Sequence, residues 1–302
     1  MALIFFIAFS TVTAIFGNKI SPPKSVRAIS YNISLPNNEI KLKNDTSGED
    51  LAYSPNTTAS GGFTLELNQF NIGASFKQAI SEEEKKRGKE LSRYNDYFVR
   101  GSYKEGIFHL FYNEYSGYKL GNIESNDLLD IKSKQYGISY QYFLKDNFNL
   151  KKHYGFYSLK KKSDYSFYLL GAYSKFNLSS KNSLIPSDEE SNFEEYKNLK
   201  GFEQDSLSLI WGATGQYVHS FYFIQASFGI GLNIAQSRYV GLESNNDLKS
   251  GLSNHIQTNF GHEFKTSILG LEFNAIQISE TKDENTFSST IFDVHLYYKY
   301  FF

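Results

Sequence analysis

The chain has 302 residues, a formal net charge of −1 and no cysteine. That length holds one large domain or two ordinary ones, and the near-neutral balance leaves no electrostatic footprint for nucleic acid. Without cysteine there are no disulfides, no thiolate catalysis, no cysteine-ligated metal and no lipid-modified N-terminus.

Phe 27, Tyr 23 and Trp 1 make up 17% of the chain, yet its mean hydropathy is negative. Aromatic-rich but hydrophilic on average is the composition of a membrane β-barrel. Half of its strand positions face lipid, half face water, and both interfaces favour Tyr and Phe.

Residues 2–16 (ALIFFIAFSTVTAIF) are one uncharged apolar run, followed by the polar stretch 18–24. About 15 residues is short of the ~20 a membrane helix needs. The run reads as a secretory signal over 1–17, cut after Ala14 or Gly17, although no Lys or Arg precedes it. Residues 18–57, rich in Asn, Ser, Pro and Lys, read as a largely irregular extension with one short strand near 39–43.

From about residue 60 the period is two. Phe70, Ile72, Ala74 and Phe76 alternate with Asn71, Gly73, Ser75 and Lys77. Leu207, Leu209, Trp211 and Ala213 alternate with Ser208, Ile210, Gly212 and Thr214, and Tyr222 to Ile234 repeat the pattern. Strands are expected at 60–68, 70–80, 93–104, 106–116, 132–144, 147–158, 164–178, 204–218, 220–235, 252–264, 266–278 and 287–302. The expected fold is all-β, an antiparallel transmembrane barrel of twelve strands over 58–302. With both termini on the periplasmic side, 179–203, 236–251 and 279–286 fall outside. The same count puts the long connections 81–92 and 117–131 on the periplasmic side, against the rule of short turns there.

The last strand carries Phe302, Tyr300, Tyr298, Leu296, Val294 and Phe292 on one parity. A chain stopping on Phe after such alternation has the form of an outer-membrane assembly signal, carried here by Phe302, Tyr300 and Tyr298. The partners this implies are the barrel-assembly machinery and outer-membrane lipid and lipopolysaccharide.

Inward-pointing charges are the place to look for chemistry. Alternation puts Glu66, Asp96, Arg100, Glu263, Glu272, Asp293, His295 and Lys299 in the lumen as a charged layer, with His109, His255 and Lys151 beside them. Asp293 and His295 share a face and have the makings of a carboxylate–imidazole pair. Closure of the last strand on the strand holding Glu66 would set His295 between two carboxylates. A barrel of this size needs charged pairs to line its interior, so a structural layer is favoured over a catalytic site. No catalytic residue, metal site or cofactor is expected.

Four segments in order add a resemblance: Tyr53-Ser54-Pro55-Asn56 before Gly61-Gly62; Phe111-Tyr112-Asn113-Glu114-Tyr115-Ser116-Gly117-Tyr118; Ser163 to Gly171 (SDYSFYLLG); and Asn182-Ser183-Leu184-Ile185-Pro186. Over most of 50–235 the chain resembles an uncharacterised family of bacterial outer-membrane β-barrel proteins known as a domain of unknown function. It departs from the family at Lys160–Lys162, Asp164 and Tyr165. The resemblance implies the barrel and its location but no activity. The expectation is a narrow channel, transport or structural barrel with a polar, partly plugged lumen. The alternative is an outer-membrane barrel enzyme, a lipid or surface-polymer hydrolase using rim or lumen His and Asp.

Overall fold

The computed structural model describes residues 26–45, 47–55, 59–67, 70–77, 93–120, 130–145, 163–242, 247–282 and 285–302. The signal expected over 1–17, Lys151 and the strand expected over 147–158 lie outside the described residues.

Twelve antiparallel strands form the wall. In order round the barrel they are β1 (Val26–Asn44), β3 (Ser60–Leu67), β4 (Phe70–Lys77), β5 (Arg93–Tyr103), β6 (Gly106–Ser116) and β8 (Lys132–Phe143). Then come β9 (Asp164–Ser179), β10 (Gly201–His219), β11 (Tyr222–Val240), β12 (Asp247–Glu263), β13 (Ser267–Lys282) and β14 (Asn285–Phe301). Pairing of β14 with β1, from Ala28↔Phe301 to Asn44↔Asn285, closes the sheet on itself. Two further strands, β2 (Asp50–Pro55) and β7 (Tyr118–Leu120), form a ribbon off the upper half of β1.

One expectation is corrected. The stretch 18–57 is not an irregular extension before the barrel: β1 is its first wall strand, so the wall begins at Val26 rather than 58. Round the wall β8 pairs directly with β9. With β1 in the wall, the strands β3 to β6 run opposite to the expected direction. The last residues of β4 and β6 therefore lie at the same end of the barrel as 180–200, away from Val26 and Phe301, whereas the last residue of β8 and the first of β9 lie at the end of Val26 and Phe301.

Alternation sets what each face carries. Outside, Leu209, Trp211, Phe228, Ile230 and Leu232 are 52–67% exposed. Inside, Ser206, Ser208, Thr214, Gln225, Ser227 and Asn233 are buried. Small inner residues leave room for rings lying across the sheet. Gly212 and Gly229 stand in line with Tyr168 on β9 and His255 on β12. A Cβ at either glycine would strike the Tyr168 side chain. Because both lack one, the ring lies over β10 and β11 and its hydroxyl reaches His255 Nδ1 at 3.1 Å.

The main apolar core is not a layer between sheets but a cap inside the long-loop end of the barrel. It joins Ile40, Leu42, Tyr94, Tyr115, Phe176, Phe202 and Tyr239 from strand ends with Tyr53 of β2, Tyr118 of β7, and Leu184, Ile185, Phe193, Tyr196 and Leu199 of the β9–β10 connection.

Candidate functional site

Below the cap the lumen holds a chamber of about 300 Å³ lined mainly by polar side chains. Of the eight charged residues expected inside, seven line it: Glu66, Asp96, Arg100, Glu272, Asp293, His295 and Lys299. His109 and His255 line it too. Glu263 does not. It ends β12 beside the turn to β13, at the short-turn end, and its backbone N–H donates to Phe221 O at 2.7 Å. Alternation gives the side of the wall a residue faces but not its height along the barrel, and Glu263 fails on height.

The charges are arranged in local groups. Lys299 donates to Glu66 across β1, and the two form a buried ion pair. Their positions follow from register, since Ser30 faces Lys299 on one side of β1 and Ala28 faces Glu66 on the other. This corrects the expected neighbourhood of Glu66. Because β1 stands between β3 and β14, the partner of Glu66 is Lys299, and His295 does not sit between Glu66 and Asp293. His295 instead lies opposite Glu272 in register, with its Nδ1 3.4 Å from Asn32 Nδ2.

Glu272 accepts from Gln257 Nε2 at 2.9 Å. The amide of Asn113, turned with its nitrogen toward β5, donates to Asp96 Oδ1 at 2.5 Å. Arg100 is the central cation. Its charge acts on Asp96, His109, His255 and His295, from four different strands, and its guanidinium lies 5.8 Å from the Phe98 ring centroid. Asp293 senses the charges of Asp96 and Glu272, and its Oδ1 is buried with no hydrogen-bond partner.

Four amide oxygens lining the chamber share that condition: Asn32 Oδ1, Asn71 Oδ1, Gln135 Oε1 and Asn274 Oδ1. Search by charge alone passes over these residues, although their inward parity was readable. The bonds of His255 and His295 run to Tyr168 and Asn32, tying the imidazoles into the wall rather than to a nucleophile. Among the described residues no group of three or more His, Asp or Glu is placed to hold a metal ion.

Tyr53, Tyr115, Tyr118, Leu184 and Ile185 of the cap come from the segments that carried the family resemblance. Tyr53 donates to the Leu184 carbonyl, joining the Tyr-Ser-Pro-Asn and Asn-Ser-Leu-Ile-Pro segments. Burial raises the Tyr53 phenol well above its ordinary pKa, so it donates at any physiological pH. Tyr118 shares a hydrogen bond of 2.5 Å with Ser133, and Tyr94 and Tyr115 pack at a centroid distance of 4.7 Å. At the opposite end the chain closes on itself. The Phe302 N–H donates to Arg27 O at 3.1 Å, and the half-exposed Phe302 ring meets Tyr300 edge-on at 5.5 Å.

Among solved structures the chain is similar to the outer membrane protease OmpT from Escherichia coli, at 10% identity and a TM-score of 0.41 over 94% of this chain and 99% of that one. It is also similar to an outer membrane channel from Pseudomonas putida F1, at 11% identity and TM-score 0.38 over 95% and 98%. A third is the P. putida toluene transporter TodX, at 9% identity and TM-score 0.31 over 93% and 91%. No curated protein sequence matches the chain. Residues 20–302 match the model of the family described as a domain of unknown function (DUF4421), and the chain belongs to that family.

Proposed function

We propose that the protein is an integral β-barrel of the bacterial outer membrane whose lumen is a closed polar chamber, not an open diffusion pore. The observation that carries this is the cap: rings and aliphatics from β2, β7 and the β9–β10 connection fill the long-loop end of the lumen. The membrane setting is supported by the outer face, where large apolar side chains are exposed on every wall strand whose side chains are described. Exposed apolar area on that scale calls for lipid, and a closed barrel leaves no strand edge to satisfy there. Phe302, Tyr300 and Tyr298 on the last strand serve as the assembly signal read by the barrel-assembly machinery. Lipid and lipopolysaccharide are the surroundings of the apolar belt.

Planar-bilayer recording of the refolded protein tests the closed lumen. The unaltered chain is expected to show no steady open-pore current, and a chain with residues 183–199 replaced by a short Gly-Ser linker is expected to conduct. A steady ohmic current from the unaltered protein would overturn the reading.

A further inference from the structure

We propose that the lumen chamber binds a small organic cation bearing primary ammonium groups, a short aliphatic diamine being the species that matches its charge. The inference rests on the closed chamber described above. Four carboxylates line the space, Glu66, Asp96, Glu272 and Asp293, against two fixed cations, Arg100 and Lys299. Lys299 is engaged by Glu66 and Arg100 acts on Asp96. Glu272 and Asp293 are the two acids left over by that count, on neighbouring strands, and a cation held between them would favour the ionised form of both.

The second observation is independent of charge count. Asp293 Oδ1, Asn274 Oδ1 and Asn32 Oδ1 are buried acceptors without donors, joined by Asn71 Oδ1 and Gln135 Oε1 on other strands. A buried acceptor left without a donor is unfavourable, and five at one cavity point to a donor-rich occupant. An ammonium group offers three donors and no acceptor. A neutral polyol would bring as many acceptors as donors, and an anion would meet excess negative charge.

The oxygens are spread round the wall rather than gathered at one point, and no metal-ligating group is present among the described residues. That favours an extended ligand over a bare ion. Phe98, Phe111 and Tyr297 also line the chamber, and aromatic rings suit a cation with an aliphatic stem.

The test uses the refolded full chain in detergent, with the temperature at which the heat-modifiable folded band is lost as readout. The probe is butane-1,4-diamine at constant ionic strength, against butane-1,4-diol, sodium chloride and magnesium chloride. The diamine is expected to raise the midpoint saturably, while the diol and salts do not. Asp293→Asn and Glu272→Gln are each expected to weaken half-saturation at least tenfold. An equal rise with salt or diol, no rise with diamine, or unchanged half-saturation in a variant that folds overturns the proposal. Should Asp293→Asn fail to fold, Glu272→Gln and the unaltered chain decide. Conductance of the same preparation separates the two claims: a silent barrel without a diamine effect sinks this proposal alone, whereas a conducting barrel sinks the closed-chamber reading.

Discussion

Lys299 and Glu66 show how a residue's worth depends on the strand between it and its partner. Each is buried, and each ionised side chain is costly to hold there without the other. Lys299→Met should therefore cost about 3–5 kcal/mol, because it strands a buried carboxylate. The double change Lys299→Met with Glu66→Gln should recover most of that loss, since a neutral amide needs no counter-charge. Urea unfolding in lipid vesicles measures both. Equal losses for the single and double variants would show that the ion pair contributes nothing particular. That these two residues face inward was legible from period-two alternation. That they face each other was not, because the pairing depends on β1, whose place in the wall the sequence hid.

At the scale of elements, the reason β1 was hidden can be named. Pro36-Asn37-Asn38 interrupts its apolar alternation, and proline inside a central strand argues against a strand. The structure resolves the conflict by a change of partner. On one side β1 pairs with β3 as far as Ser34↔Ser60, and with β2 only from Ile40↔Tyr53. Pro36 falls in the gap, where no ladder bond from that side is required. Elsewhere the pairing is direct: β8 and β9 pair through Lys132↔Ser179 to Phe143↔Tyr168. Where the alternation is long and unbroken, as in β11, the reading was sound, and it supports a depth prediction. Ile230 lies mid-strand and Tyr222 at the short-turn end, both pointing outward at 52% and 61% exposure. Ile230→Lys should cost about 2–4 kcal/mol and Tyr222→Lys about 0–1 kcal/mol, since lipid depth sets the penalty. Refolding titrations into vesicles compare them, and equal costs would argue against a membrane-embedded belt.

At the scale of the molecule, twelve strands return the C-terminus to the end where β1 begins, and one short strand count decides which loops face outward. The turn Ser220-Phe221 between β10 and β11 lies at the end shared by Val26 and Phe301, while the β9–β10 connection 180–200 lies at the other. The sequence reading put this connection at the end away from the termini as well, but it left β1 out of the wall and so put the connections after β4 and β6 at the opposite end from the one their strand ends occupy. Outer-membrane barrels keep short turns inside and long loops outside. Ser187 and Asp188 are exposed within a connection whose Leu184, Ile185, Phe193 and Tyr196 are held in the cap. A peptide epitope inserted between Ser187 and Asp188 should therefore leave the cap anchored on both flanks and be reached by antibody on intact cells. The same epitope inserted between Ser220 and Phe221 should be reached only after the outer membrane is permeabilised. The reverse labelling would invert the barrel, and labelling of both sites on intact cells would remove it from the membrane altogether.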